Sequence, residues 1–161
     1  MKKVLVISAS DSEIDTMKEA VKVLDEFGVG NELTISSAHR SPERTIQLVS
    51  DFANQGGKVI ICGAGLAAHL AGVVAAHFPL PVIGIPLVSG PLNGIDALLS
   101  TMQMPPGIPV ATVGINNAKN AGLLAIQILA TSDKNLEDQL IDYKSKLAAG
   151  VAEKAKKLGN G

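Results

Sequence analysis

The stretch KVIICGAGLAAHLAG (58–72) carries the pattern on which the fold prediction depends. Its apolar run, 59–62, has no polar break and is followed by two glycines and then by a segment rich in Ala and Leu. A continuous apolar run of this length favours a strand that is covered on both faces. The stretch therefore predicts a strand, a glycine-containing loop and the start of a helix in succession.

The same unit recurs along the chain. Five short runs rich in apolar, β-favouring residues predict strands: VLVIS (4–8), ELTIS (32–36), KVIIC (58–62), PVIGI (81–85) and PVATV (109–113). Two segments between them have apolar residues at helical spacing: Ile14, Met17, Val21 and Leu24 in the first, and Ile46, Val49 and Phe52 or Ala53 in the second, which opens at Pro42. Alternating strands and helices imply right-handed crossovers. We therefore predict a three-layer α/β domain with a parallel sheet.

Length and composition limit the classes of protein that fit. The 161 residues indicate a single domain, 1–161, which at this size buries about 70% of the surface of its unfolded chain. Hydrophobic residues make up 47% of the chain and aromatic residues only 2%, so the core must consist of Val, Ile, Leu and Ala. Few aromatic residues and a net charge of −1 argue against a nucleic-acid partner and against an anionic membrane.

The length of the apolar runs bears on where the protein is located, and the position of the single cysteine bears on its redox chemistry. No apolar segment approaches the roughly 20 residues that cross a bilayer, and the run in MKKVLVISAS (1–10) is too short for a secretory signal. We therefore expect a soluble, cytoplasmic protein. The single cysteine, Cys62, lies inside an apolar run and is predicted to be a buried, inert thiol.

The C-terminal part predicts two helices. AGLLAIQILA (121–130) is apolar on nearly every side, and a longer helix is expected over about 134–157, with 158–161 as a disordered tail. The apolar stripe of the longer helix comprises Leu136, Leu140, Tyr143, Leu147 and Val151. At 1.5 Å per residue this helix is roughly 35 to 40 Å long, more than a domain of this size covers easily. We expect part of the stripe to pack on another subunit, the alternative being a helix that lies across its own domain.

Polar residues gather where the predicted strands end. Ligands of open parallel sheets bind beyond the carboxyl ends of the strands. The five junctions at that edge are SASDSEID (8–15), SSAHRSPE (36–43), GAGLAAHL (63–70), PLVSGPLNG (86–94) and GINNAKNAG (114–122). Asp11 and Ser12 fit helix caps as well as they fit ligand contacts.

These junctions together favour a phosphorylated small molecule as ligand. An anion cradle is expected from backbone amides at a helix N-terminus and from four side chains: Ser10, Ser12, Ser37 and Arg40. Gly63 and Gly65 let the backbone approach a ligand closely. His39 lies beside this cradle, and because an imidazole can take and give a proton at neutral pH, we predict that it is catalytic or contacts the ligand.

The other two histidines have simpler interpretations, and the remaining motifs argue against a zinc site and a dinucleotide site. His69, at the start of an Ala-rich helix, fits core packing and site lining equally, and His77 is expected to interact with the C-terminus of that helix. Cys62 is not part of any cluster with metal-ligand spacing, so no zinc site is predicted. SASDSE (8–13) departs from the dinucleotide pattern G-x-G-x-x-G, and there is no P-loop.

Four motifs resemble the AIR carboxylase family: SAHRSPE (37–43), AGLAAHLAG (64–72), QMPPGIPVATVGI (103–115) and KNAGLLAIQILA (119–130). The similarity runs from about residue 3 to 157. Within the family the chain is most similar to the class I, or PurE, enzymes, which are N5-carboxyaminoimidazole ribonucleotide mutases of de novo purine biosynthesis. The class II enzymes, which carboxylate aminoimidazole ribonucleotide directly with CO2, depart from the family pattern at SAHR and AAHL.

The resemblance implies a fold, an assembly and a reaction. The fold would be a flavodoxin-like, Rossmann-like α/β domain with a long C-terminal helix, and the assembly a homo-octamer with its sites at subunit contacts. The substrate would be a small ribonucleotide and no cofactor or metal would be needed. The carbamate of the substrate would break down to CO2 and aminoimidazole ribonucleotide, after which C4 attacks the CO2 and a histidine, matched by His39, moves the proton.

The resemblance also assigns substrate contacts. The phosphate and ribose contacts match Ser10, Ser12, Ser37 and Arg40, and the loop that lines the base and carboxylate pocket matches Ala64, Gly65, Leu66 and His69. With their neighbours these give the predicted substrate-binding set, which is Ser10, Ser12, Glu13, Ser37, Ala38, Arg40, Gly63, Ala64, Gly65, Leu66 and His69.

Three positions differ from the usual family pattern. Ala9 stands in place of a glycine, Glu13 in place of an aspartate that meets the ribose, and Ala71 in place of a proline. These differences keep two alternatives open: a related carboxylase that uses CO2 or another mononucleotide, and a non-catalytic nucleotide-binding paralogue.

Overall fold

The computed structural model describes residues 1–159. They divide into two compact units, Met1–Ile126 and a second one that begins at Gln127. The first unit holds a sheet of five strands: β1 (Val4–Ser8), β2 (Asn31–Ile35), β3 (Val59–Ala64), β4 (Val82–Pro86) and β5 (Ala111–Thr112). Its helices are α1 (Ile14–Glu26), which follows a 3₁₀ turn at Asp11–Glu13, α2 (Pro42–Asn54), α3 (Leu70–His77) and α4 (Ile95–Met102). Helix α5 (Ala118–Ala130) begins in the first unit and ends in the second, which also contains α6 (Lys134–Gly159).

The sheet confirms the predicted fold class. Every paired strand is parallel, and the strand order is β2-β1-β3-β4-β5. This is the flavodoxin-like order, in which the direction of winding reverses between β1 and β3. The reversal separates the loops that follow these two strands, so a crevice forms at the carboxyl edge of the sheet.

Two of the five strands differ from the prediction that all are covered on both faces. Strands β1, β3 and β4 are buried along their whole length. Strand β2 is only half-buried with Ile35 exposed, and β5 is reduced to two residues. The reason is position, because β2 and β5 form the two edges of the sheet and each pairs on one side only. A short apolar run does not report which place in the sheet its strand will occupy.

The core is aliphatic, as the composition predicts. Its largest fully buried side chains include Leu5, Ile7, Ile60, Ile61 and Ile83. Helix α1 buries Met17 and Leu24 as predicted, but its buried face also includes Ala20 and Val23, while Val21 is only half-buried. Of the two candidates in α2, Phe52 is buried and Ala53 half-buried.

The C-terminal helix is longer than predicted. Helix α6 has 26 residues and extends to Gly159, so 158 and 159 are helical instead of belonging to a disordered tail. The predicted tail residues Asn160 and Gly161 lie outside the described residues. Leu136 is buried, whereas Leu147 and Val151 are 55% and 69% exposed. Leu140 and Tyr143 are half-buried, so only the C-terminal part of the predicted apolar stripe is exposed. The predictions of a single domain and of a subunit contact stay predictions.

No helix within residues 1–159 is both long enough and apolar enough to span a bilayer.

Cys62 lies in the middle of the sheet, in β3, and its side chain is 2% exposed. Burial in these apolar surroundings disfavours the thiolate and raises the pKa of the Cys62 thiol well above its ordinary value. We expect the native protein at pH 8 to react negligibly with a thiol reagent such as Ellman's reagent, and the protein unfolded in guanidinium chloride to react completely within minutes. Rapid stoichiometric labelling of the native protein would contradict this prediction.

Candidate functional site

A cavity of about 500 Å³ lies at the carboxyl edge of the sheet, where the loops after four strands converge. The loop after β1 contributes Ala9, Ser10 and Glu13, the loop after β2 contributes 37–40, the segment after β3 contributes 64–67 with His69 and Leu70, and the loop after β4 contributes Ser89. This is the place that the strand order predicts for a ligand, because the loops after β1 and β3 part at the reversal of winding.

Hydrogen bonds within the loop after β1 fix its side chains. The Ser10 hydroxyl donates to Glu13 Oε2 at 2.9 Å and lies 2.8 Å from the Ser12 hydroxyl. A serine hydroxyl has one proton, so when Ser10 donates to Glu13 the proton between the two hydroxyls comes from Ser12. Ser8 also donates to the carbonyl of Ser10 at 2.7 Å, which holds the turn closed. Ser10 and Glu13 line the cavity, whereas Ser12 is not part of the wall and is hydrogen-bonded to Ser10.

The two predicted ligand-approach glycines have different surroundings. At Gly65, a Cβ atom would lie 2.8 Å from Glu13 Oε1 and 2.6 Å from Ser89 Cβ, so the absent side chain makes room for residues that line the cavity. At Gly63, a Cβ atom would collide with the sulfur of Met17 in the core. Gly63 is buried within β3 and is absent from the cavity wall, so the structure explains it by helix–sheet packing instead of ligand approach.

The loop after β2 is braced against the loop after β1. The backbone N–H of Arg40 donates to Ser37 Oγ at 3.2 Å, and the Ser41 hydroxyl donates to the Ser37 carbonyl at 3.1 Å. The guanidinium of Arg40 donates to the carbonyl of Ala9 at 3.3 Å. Arg40 is itself exposed and lines the cavity.

Two histidines from different loops meet in the cavity. His39 Nε2 lies 2.8 Å from His69 Nδ1, and the rings meet edge to face at 88° with their centroids 4.9 Å apart. One of the two nitrogens must carry the proton and the other must accept it, so the pair shares one proton. The structure thus places His69 in the cavity wall and not in the core. His77 is elsewhere, with its Nδ1 donating to the Val73 carbonyl at 2.8 Å at the C-terminus of α3, as predicted.

Most of the predicted site residues are brought together. Ten of them line the cavity: Ser10, Glu13, Ser37, Ala38, His39, Arg40, Ala64, Gly65, Leu66 and His69. Four further wall residues lie in the strand-end junctions but were not among the predicted site residues: Ala9, which was noted only as a departure from the family pattern, Ala67, Leu70 and Ser89. Ser89 could have been found, since it is a polar residue in one of these junctions. The other three are apolar and carry no chemical signal in the sequence.

Two further features of the site are the backbone of Leu66 and the spacing of groups that could bind a metal ion. Leu66 has a φ of 55°, a left-handed backbone conformation that L-residues adopt rarely, and its side chain is 50% exposed at the cavity. Within residues 1–159, no three His, Cys, Asp or Glu side chains are grouped as a metal ion would require.

Comparisons with known proteins agree with one another. Residues 3–150 match the family described as AIR carboxylase. A Pyrococcus horikoshii protein named N5-carboxyaminoimidazole ribonucleotide mutase is 52% identical over 153 residues, which are 95% of this chain and 86% of that protein. A Schizosaccharomyces pombe protein named phosphoribosylaminoimidazole carboxylase is 51% identical over 153 residues, covering 95% of this chain but 28% of that longer protein. The solved structure of Treponema denticola PurE has a TM-score of 0.88 and 29% identity, covering 96% of this chain and 97% of that one.

Proposed function

This chain belongs to the AIR carboxylase family, and from that premise we propose that it is an N5-carboxyaminoimidazole ribonucleotide mutase of purine biosynthesis. It converts this carbamate nucleotide to 4-carboxyaminoimidazole ribonucleotide, in the cytoplasm and without a cofactor. The observation that carries the proposal is the His39–His69 pair in a cavity whose wall also contains Ser10 and Arg40. A proton carrier and an anion-binding group thus share one pocket of suitable size for a mononucleotide.

The reaction is an exchange of CO2 for one proton within the bound substrate. The bond between the exocyclic nitrogen and the carbamate carbon breaks, its electron pair stays on nitrogen, and nitrogen takes a proton from His39. Carbon C4 then attacks the released CO2 and loses its own proton to His39, which replaces the proton that His39 gave to the nitrogen. Protons and carbon therefore balance, and the histidine ends as it began.

The two parts of the wall support different steps of this exchange. His69 shares a proton with His39, and this hydrogen bond fixes the orientation of the His39 ring in the cavity. Ser10, Ser37 and Arg40 hold the phosphate and ribose, so the ring stays in place while CO2 is free. Holding both fragments makes the recombination effectively intramolecular, and excluding water protects the CO2-bearing intermediate.

The direct test is turnover of the carbamate nucleotide by purified protein. We expect C4-carboxylated product to form well above the non-enzymatic background and without added bicarbonate. A requirement for bicarbonate with aminoimidazole ribonucleotide as substrate would instead favour the carboxylase named among the relatives. Binding of the nucleotide without turnover would favour a non-catalytic paralogue.

Exposed apolar side chains around α4 and on α6 support the subunit contacts that the proposed homo-octamer requires. In the first unit, Leu92, Ile95, Leu99 and Met102 are spaced at three or four residues and are 46–59% exposed. The second unit has Leu147 and Val151 exposed on one face of α6, and Ile141 exposed on a different side of the same helix. Exposed large apolar side chains at helical spacing are typical of subunit contacts.

Helix α4 also reaches the site. The Ser100 hydroxyl accepts the backbone N–H of Ala68 at 2.9 Å, so α4 holds the loop that carries His69. A neighbouring subunit that covers the outer face of α4 therefore helps to fix this loop.

The assembly is tested by light scattering coupled to size exclusion. We expect a mass of about 130 kDa, which is eight times the 16.6 kDa of the chain. The variant Leu99→Glu should give smaller species with lower activity, while Lys22→Glu, at an exposed polar position in α1, serves as the control. A monomeric wild-type protein would contradict the octamer.

A further inference from the structure

A second cavity, of about 440 Å³, adjoins the first and is not explained by the proton chemistry. It shares Ala9, Ser10, Ser37 and Arg40 with the first cavity, so the two cavities have a wall in common. The histidine pair lines only the first cavity, and Arg44 lines only the second. We call the second cavity the arginine pocket.

The arginine pocket contains all the arginine of the chain. Of the 14 Lys and Arg residues only two are arginines, Arg40 and Arg44, and both line this pocket. No lysine lines either cavity. Guanidinium groups bind phosphate through two parallel hydrogen bonds, which a lysine ammonium cannot provide.

Both guanidinium groups are left without a counter-charge. Within residues 1–159 neither forms an ion pair, and each donates to one carbonyl at the end of a strand: Arg40 to Ala9 at 3.3 Å, Arg44 to Ile35 at 3.4 Å. Asp11 also lines the pocket but lies beyond ion-pair distance of both. The charged side chains of the wall therefore sum to +1, with most guanidinium donors unused.

Serine groups complete an anion-binding surface. Ser10, Ser37 and Ser41 line the pocket, and Ser41 immediately precedes α2, a helix of 13 residues. The backbone amides at the start of this helix carry partial positive charge on the same side as the two arginines.

The geometry points to Arg44 as a second phosphate-binding residue, which together with Arg40 holds the 5′-phosphate of the nucleotide in the arginine pocket. An extended mononucleotide then places its phosphate at Arg44, its ribose at the wall shared by the two cavities and its base at the histidine pair. This inference rests on the proposed function only for the identity of the ligand as a 5′-phosphorylated ribonucleotide.

The test uses ribose 5-phosphate as a probe, with ribose as its phosphate-free counterpart. For Arg44→Gln we expect the Kd of ribose 5-phosphate, measured by calorimetry at fixed ionic strength, to rise about 10-fold or more. Arg44→Lys keeps the positive charge but loses the paired N–H donors of the guanidinium group. Its Kd for ribose 5-phosphate should therefore lie between those of Arg44→Gln and the wild type. The control Lys58→Gln removes one positive charge at the opposite edge of the sheet, beside the start of β3, and should change the Kd less than twofold.

Kinetics separates this inference from the proposed function. In an active enzyme Arg44→Gln should raise KM about 10-fold and leave kcat within about twofold, because the phosphate is held equally before and during the reaction. If the protein is inactive yet binds ribose 5-phosphate in a way that depends on Arg44, the arginine pocket stands and the mutase proposal fails. If Arg44→Gln leaves both Kd and KM unchanged, the arginine pocket fails and the mutase proposal stands.

A second measurement on the wild-type protein covers the case in which the variant does not fold. Phenylglyoxal modifies arginine, and mass spectrometry can follow Arg40 and Arg44 separately. We expect saturating ribose 5-phosphate to slow modification of both residues several-fold and ribose to slow neither. Protection of Arg40 alone would overturn the inference.

Discussion

The variant His39→Asn is expected to lose turnover by about 10² to 10⁴-fold, the range that a positioned general acid–base contributes. Asparagine keeps a polar side chain of similar reach but has no group that exchanges a proton at neutral pH. The same change removes the 2.8 Å hydrogen bond between His39 Nε2 and His69 Nδ1. Because His39 is exposed and lies outside the core, the fold and much of the nucleotide affinity should be unaffected.

Steady-state turnover of the carbamate nucleotide, with the non-enzymatic rate subtracted, measures this loss. His77→Asn is the matched control, since His77 is also exposed but lies outside the cavity, where it donates to the Val73 carbonyl at the end of α3. His69→Asn should fall between the two, because it retains the proton carrier and removes its hydrogen-bond partner. Full activity of His39→Asn would remove this residue from the mechanism.

The second large effect is on stability and concerns two helical glycines. Replacing glycine by alanine in the interior of a helix stabilises it by about 1 kcal/mol on intrinsic propensity. The variant Gly150→Ala should follow this rule, since nothing lies within 4 Å of the position that its Cβ would take in α6. At Gly122 in α5, the new Cβ would collide with Val23 Cγ1 and lie 2.9 Å from the Ala20 carbonyl oxygen, both in α1.

We therefore expect Gly122→Ala to lower the free energy of unfolding by about 1 to 3 kcal/mol, since backbone and a β-branched side chain cannot move aside cheaply. Guanidinium midpoints of the two variants, measured at the same protein concentration, should shift in opposite directions. Equal stabilisation of both would contradict the close approach of α1 and α5.

The two glycines look alike in the sequence because the close contact is made by a residue about 100 positions away. The same limitation explains the edge strands. ELTIS (32–36) and VLVIS (4–8) are both short and rich in β-favouring residues, yet β1 is a buried interior strand and β2 lies at the edge of the sheet. Strand order depends on which pairs form between distant segments, and a local pattern contains no record of those pairs.

The candidate site was more accessible to sequence reasoning than these packing details. His39, Arg40 and Ser37 follow a strand directly, and parallel topology brings all such strand ends to one edge. Ser10 and Gly65 follow two other strands for the same reason. The sequence does not give the distances between the loops. It therefore could not predict that His39 contacts His69 or that the Glu13 carboxylate lies close to Gly65.

By itself, the sequence determined the α/β class, an aliphatic core and the edge of the sheet that carries the polar groups, because each depends on local periodicity or on composition. Only the tertiary structure decided that β2 and β5 are edges, that Gly63 serves packing, and that the histidines share a proton. These features depend on contacts between segments that are remote in the chain, and such contacts exist only after the helices and strands have packed.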